Sequence, residues 1–352
     1  MVQFHLFVVV ALLLSLFAVA HPGQSNSEKQ AEAQFRRRYL DSLKHTDLAH
    51  CADKLTAQGV AKRASVRRRE TLINLRQQAG INHNRLNKRQ EYAWDEVLAK
   101  DHHSKLNLAS SWQTANWDLL GDNQTVMLHP EVELGPFWVT GEDIRKDVRE
   151  KEPGVTLHLD FQVINIKTCS PITGSAVEIW GCNSTGVYSG VVDGIPSGQA
   201  ANIQNKALRG IQITDKDGSV RFDTIFPGHY KGRTNHLHVI THRDQTILAN
   251  KTIAGGAINH VGQLFFDQSL IDEVTKISPY SDNKNEHWPN VLDGDMYVGT
   301  KGMADPVFNY VLLGNKLQDG IFAWLNFGIS VDATENPVPA FDCGKDGCKE
   351  VD

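Results

Sequence analysis

Charge of one sign is what this chain has little of: 36 basic residues stand against 41 acidic ones in a length of 352. That balance excludes the concentrated basic face a nucleic-acid partner requires. Long apolar runs are as scarce. Beyond residue 20 no segment supplies the ~18 apolar residues that span a bilayer. Lys and Arg are missing from the very start of the chain, where Met1–Ala20 is almost wholly apolar and ends Ala18-Val19-Ala20 ahead of a polar stretch. Such a run with a small-residue exit reads as a removed signal peptide rather than a membrane anchor. The mature protein is therefore expected to be secreted, with no membrane segment.

Cysteine is sparse too: Cys51, Cys169, Cys182, Cys343 and Cys348. In an oxidising compartment they allow two disulfides and leave one thiol over. Cys169 and Cys182 flank what reads as a hairpin and form the favoured pair, and Cys343 or Cys348 is expected to reach Cys51. A zinc site at Cys343 and Cys348 would lack two further ligands. Asn123, Asn183 and Asn250 each begin an Asn-x-Thr acceptor for glycosylation. Asn183 stands close enough to Tyr188 that a glycan there would have to point away from any pocket.

Residues 21–112 form a helical N-terminal region, a candidate propeptide or cap. Leu40, Leu43, Leu48, Cys51 and Leu55 recur at helical spacing until Gly59, and a second helix over about 61–79 carries Val66, Leu72 and Leu75. Its Lys62, Arg63, Arg67, Arg68 and Arg69 are expected to make a solvated face. Lys88-Arg89 is a candidate processing site, and His102-His103 is expected to cap or solvate. A connector over 113–127 follows, with Trp112 and Trp117 as anchors.

From about 128 to 330 the pattern changes to short strands with Gly and Asp-Gly turns, the mark of an antiparallel β-sandwich. The fold class is therefore mainly β, preceded by the small α-helical region. Residues 331–352 read as an irregular tail.

The densest chemistry lies in Arg209–Thr241. Gly210–Thr214 and Val220–Ile225 alternate as strands about Asp215-Lys216-Asp217-Gly218 and read as a β-hairpin. Past Pro227-Gly228-His229-Tyr230 a further strand carries His236-Leu237-His238. Alternation along a strand puts His236 and His238 on one face, roughly 6–7 Å apart at Cβ, within reach of one metal ion. Taken alone the pair is a weak signal, and two half-buried histidines bonded to backbone or water are the more ordinary reading.

Tyr188 ends a second Gly-containing turn, and the blocks GVYS, RGIQITDKDG, PGHY and RTNHLH occur in that order. Together with His129–Arg145 and Val261–Asp267, they resemble the intradiol ring-cleavage dioxygenases, specifically a secreted fungal branch. The resemblance covers about residues 128–330. It implies an Fe(III), non-haem centre with Tyr188, Tyr230, His236 and His238 as metal ligands. It also implies a displaceable Tyr230, Arg233 beside the substrate ring, Gln263 near the iron, and a substrate mouth lined by Leu134, Gly135 and Pro136. The implied reaction inserts O2 between the hydroxyl-bearing carbons of a catechol-type small aromatic diol, giving a cis,cis-muconate-type product. Paired phenolate and imidazole donors suit ferric iron better than zinc. Gly181 stands where relatives often carry His, His229 is a candidate proton relay or a packed turn residue, and no helical dimerisation domain is evident. Two alternatives share the residues: a secreted iron- and catechol-binding β-sandwich protein without turnover, and a zinc or ferrous enzyme using His236, His238 and Asp267.

Overall fold

Helices come first, because the chain alternates small, charged and aliphatic residues at helical spacing with glycine at the break. The computed structural model describes residues 48–81, 97–98, 100–104, 125–127, 135–191, 200–299, 305–335, 337–344 and 347–351. Outside those residues lie the signal segment, Leu40, Leu43, Lys88-Arg89, Trp112, Trp117, Asn123 and Leu134. Helix α1 (Ala52–Ala57) and helix α2 (Val60–Gln78) are separated by Gly59, whose φ of 65° suits glycine at a sharp reversal. Among the described residues no helix is long and apolar enough to cross a membrane.

The strands are β1 (Thr125–Met127), β2 (Thr156–Asn165), β3 (Ser170–Pro171), β4 (Ala176–Trp180), β5 (Arg209–Ile213), β6 (Ser219–Ile225), β7 (His236–Arg243), β8 (Thr246–Ile247), β9 (Ile253–Ala254), β10 (Ala257–Phe265), β11 (Asn309–Leu312), β12 (Ile321–Ile329), β13 (Phe341–Gly344) and β14 (Gly347–Glu350). A six-stranded sheet runs β1-β12-β2-β3, with β11 on β12 and β6 on β2, and a four-stranded sheet runs β10-β7-β4-β5. Alternate residues of both sheets meet in one core: Leu157, Leu159, Phe161, Phe222 and Leu325 from the first, Val177, Ile179, Leu237, Val239 and Leu264 from the second. That is a β-sandwich. Its pairings are antiparallel apart from β12, which runs parallel to both β2 and β1.

Two sequence expectations give way here. Strands β5 and β6 exist, but they are not a hairpin ladder: β5 pairs with β4 and β6 with β2, in different sheets. The Asp215–Gly218 turn is tight, with Asp215 accepting from the Asp217 and Ser219 amides. It carries the chain across the sandwich rather than back along one sheet. The second correction is the disulfide: Cys169 bonds Cys51, and Cys182 is a buried thiol. Cys169 sits beside β3 in one sheet, whereas Cys182 follows the far end of β4 in the other. The length of β4 alone is about 13–16 Å, and a disulfide needs Cα atoms within about 7 Å.

Burial of the outer face of the six-stranded sheet explains the placement of helix α2. Asp160 and Asn326 point outward from β2 and β12, where α2 covers them. Arg67 makes a bidentate pair with Asp160 (3.0 and 2.8 Å), and Arg68, with no exposed side-chain surface, reaches Asp160 at 2.7 Å and Asn326 at 2.5 Å. Arg76 is also buried and donates to the Leu313 carbonyl. The expected solvated basic face is thus partly an ionic interface onto the sheet, while Arg69 stays exposed. Leu48, Cys51, Leu55 and Val60 pack on Ile164 and Cys169, next to the Cys51–Cys169 bond.

His102 departs from its expected surface role. It is buried, its Nδ1 lies 2.5 Å from Asp267 and its Nε2 3.0 Å from Asp305. Burial pulls its pKa down, but the two carboxylates outweigh that and hold it up at about 9. The tail is not irregular either: β13 and β14 form a hairpin with Cys343 opposite Cys348, and Cys343 is disulfide-bonded. Neither tail cysteine reaches Cys51.

Candidate metal centre

The outward face of the four-stranded sheet is built by the same period-two rule as the core. On β7, Leu237 and Val239 enter the sandwich, so His236 and His238 face away from it together. Across the sheet His238 stands opposite Trp180 and Gln263, and His236 opposite Phe265. The Trp180 ring stacks on His238 at 4.7 Å and 8°.

Two tyrosine loops close over this face, and glycines let them interlock. A Cβ on Gly186 would lie 2.2 Å from the His229 carbonyl oxygen, and one on Gly228 would lie 2.4 Å from that of Asn183. Backbone therefore touches backbone between the turn before Tyr188 and the turn before Tyr230. The Gly228 amide donates to the Asn183 carbonyl at 3.2 Å. Phe137 packs against both tyrosines, stacked on Tyr188 at 4.4 Å and edge-on to Tyr230 at 5.4 Å. Beneath Tyr188, buried Arg209 donates to the carbonyls of Ser189 (2.9 Å) and Phe137 (2.6 Å), which ties the Tyr188 loop to the stretch that carries Phe137.

Three lone-pair atoms converge as a result. Tyr188 Oη is 3.3 Å from His236 Nε2 and 3.1 Å from His238 Nε2, and the two Nε2 atoms are 3.2 Å apart. His236 Nδ1–H donates to the Thr234 carbonyl at 2.7 Å, which leaves the Nε2 lone pair facing the cluster. Metal–ligand bonds of about 2.0–2.1 Å at right-angled to tetrahedral geometry separate donor atoms by about 2.9–3.4 Å. The observed spacing therefore fits one ion. Tyr230 completes the group, its ring 5.7 Å from that of Tyr188 and 5.5 Å from that of His236.

Burial also sets the acidity of the two phenols. Burial raises the Tyr188 phenol well above its ordinary value, with Cys182 and Tyr230 adding to it, and burial pushes Tyr230 up to about 12 against the pull of Arg233. Both phenols hold their protons unless a strongly charged cation stabilises the phenolates.

Arg233 is 2% exposed. Nε donates to Asp293 at 2.8 Å, Nη1 to Tyr230 Oη at 3.1 Å, and Nη2 to Gln263 Oε1. Nη1 also lies 2.9 Å from Asp295. Burial works against this charge, yet Asp293, Asp295 and Tyr230 hold its pKa well above the usual arginine value. Gln263 donates in turn to Asp295 at 3.0 Å.

Other expected residues are placed as follows. Gly135 has a φ of 73°, and a Cβ on it would lie 3.5 Å from His238 Cε1, so this stretch of backbone covers the site; Pro136 follows it, half-buried. Gly181 faces Leu237 on the core side, not the cluster. His229 is a packed turn residue bonded to the Asn285 carbonyl. Asp267 is engaged by His102 rather than by His236 or His238. Asn250 is exposed beside β9, whereas Asn183 donates to Glu152 and accepts from the Thr185 and Val187 amides. Asp293, Asp295 and Trp180 carry no local signal of a role here, and Phe137 and Arg209 lie inside the resembling stretches with no role assigned to them. They are distant in sequence from residues they touch: Arg233 lies 60 positions from Asp293, and Arg209 lies 72 from Phe137.

Residues 135–275 match the family model Dioxygenase_C, described as Dioxygenase. The chain is similar to an intradiol ring-cleavage dioxygenase from Tetranychus urticae at 30% identity, covering 57% of this chain and 94% of that one, with a TM-score of 0.47. It is also similar to another dioxygenase of known crystal structure at 31% identity, covering 60% of this chain and 98% of that one, with a TM-score of 0.49. The similarity to a catechol 1,2-dioxygenase from Pseudomonas arvilla C-1 is lower: 18% identity over 58% of this chain and 64% of that one, with a TM-score of 0.38. No curated protein matches the chain. The chain belongs to the intradiol ring-cleavage dioxygenase family.

Proposed function

We propose that this protein is a secreted, non-haem Fe(III) dioxygenase that places both atoms of O2 between the hydroxyl-bearing carbons of a catechol-type diol. The observation that carries this reading is the triangle of Tyr188 Oη, His236 Nε2 and His238 Nε2, with sides of 3.1–3.3 Å. Ferric iron held by those atoms and Tyr230 supplies Lewis acidity and a template for a chelating diol.

The chain's own groups do the remaining work. Thr234 fixes the His236 tautomer so that a lone pair faces the metal position. Trp180 and Phe137 wall the cluster with aromatic carbon and exclude water. Tyr230 Oη, held by Arg233 at 3.1 Å, is the acceptor for a catechol hydroxyl proton, and the guanidinium stabilises negative charge that develops beside it. Secretion is supported by the apolar leader and by the Cys51–Cys169 bond, which belongs in an oxidising compartment. Exposed Asn250 is the acceptor we assign to glycosylation.

An oxygen-electrode screen of the ferric protein across catechol, protocatechuate, hydroxyquinol and caffeate tests the proposal. Consumption of one O2 per diol, with muconate-type absorbance, is expected. Binding of diols without O2 uptake would leave only the iron- and catechol-binding alternative.

A further inference from the structure

A guanidinium has five N–H donors in a rigid fork. In Arg233 all five are matched to acceptors. Nε–H meets Asp293 Oδ2 (2.8 Å), the Nη2 hydrogens meet Asp293 Oδ1 (3.2 Å) and Gln263 Oε1, and the Nη1 hydrogens meet Asp295 Oδ2 (2.9 Å) and Tyr230 Oη (3.1 Å). Four of these five contacts are to groups away from the lone-pair cluster, and their geometry leaves the fifth N–H only one direction. Asp293 is itself immobilised: it accepts from the amides of Thr234, Asp295 and Met296 at 2.9–3.1 Å, joining the approach to β7 to the short helix Gly294–Gly299. Asp295 bridges Arg233 and Gln263, and Gln263 is the cross-strand partner of His238.

The two tyrosines are held differently. Tyr188 Oη touches both imidazoles, whereas Tyr230 Oη is held by Arg233. We infer that Asp293 and Asp295 are positioning residues: they clamp Arg233 so that one Nη1–H is permanently aimed at Tyr230 Oη. That bond gives the phenol oxygen a partner whether or not it binds metal. This inference rests on the ferric reading of the site. The carboxylates touch neither substrate nor metal and act only through Arg233 and Gln263.

The test uses full-length protein loaded with ferric iron, comparing wild type with Asp295→Asn and Asp295→Glu. Asp295 is the better probe because its side chain is 12% exposed and Asp293 fully buried. Two readouts are taken: the position of the tyrosinate-to-iron absorption band, and kcat and KM for catechol separately. A charge-assisted hydrogen bond lost at this point lowers kcat about tenfold to a hundredfold. With Asp295→Asn the band is expected to move, kcat to fall by that factor and KM to change far less, and Asp295→Glu is expected to restore both. An unmoved band with kcat within twofold of wild type overturns the inference. So does loss of folding in both Asp295→Asn and Asp295→Glu, since the clamp would then hold the domain together rather than aim Arg233. A wild-type ferric protein with no such band would instead defeat the ferric reading, which keeps the two failures apart.

Discussion

Replacing Asp160 with Asn probes how the helical layer is held to the sandwich. Asp160 is fully buried on β2 and accepts three charged hydrogen bonds, two from Arg67 and one from Arg68. The substitution keeps the shape and one acceptor oxygen but removes the carboxylate these guanidiniums share. Arg68, with no exposed side-chain surface, is then a buried cation facing a second one. Removing one partner of a buried pair costs about 3–5 kcal/mol, and the retained acceptor places Asp160→Asn near 3. For a domain of this size that is a fall in Tm of roughly 6–12 °C. Burial pushes the Asp160 pKa up, but Arg67 and Arg68 outweigh it and hold it below the usual carboxylate range. A depressed folded-state pKa gives stability that is present above the unfolded value of about 3.9 and lost as pH falls through the folded one. The wild-type advantage over Asp160→Asn should therefore persist at neutral pH and shrink in acid. Thermal melting by circular dichroism at neutral and acidic pH measures it. A neutral-pH Tm within a degree of wild type would refute the idea that this network anchors the helices.

Two further outcomes follow from the same physics. The Cys51–Cys169 bond closes a loop with a sequence separation of 118. Its removal as the Cys51→Ala/Cys169→Ala pair should cost about 2–5 kcal/mol by chemical denaturation, while Cys182→Ala leaves that linkage untouched. His102 gains its charge partners on folding, so its raised pKa contributes stability that is full below the unfolded value of about 6.5 and lost as pH rises through about 9. The stabilities of wild type and His102→Asn, measured by thermal melting, should converge between neutral pH and pH about 10, starting from a difference of about 3 kcal/mol; parallel curves would rule this out.

Local pattern carried the sequence reading well where periodicity decides the matter. Strand alternation placed His236 and His238 together, and glycine before each tyrosine foretold turns, although not that Gly186 and Gly228 make the two turns touch. What escaped were relations set by chain packing. Nothing local says that β5 and β6 belong to different sheets, because their turn is chemically a good hairpin turn. Arg68 on a basic helix reads as solvated until β2 supplies Asp160 from 92 positions away. Asp293 and Asp295 sit in an unremarkable polar stretch, and only the fold brings them to Arg233. Cys169 and Cys182 mislead for the same reason: nearness in sequence is not nearness across a sandwich, and Cys169 bonds Cys51 instead.

The most direct measurement is a titration of metal-free protein with ferric iron, followed by visible absorbance, for wild type, Tyr188→Phe and His238→Ala. Convergent phenolate and imidazole donors predict one iron per chain and a burgundy charge-transfer band in wild type, with the band lost or its intensity cut sharply in Tyr188→Phe and the iron weakly held in His238→Ala. A colourless wild-type protein, or a band indifferent to both substitutions, would contradict a ferric centre at these residues.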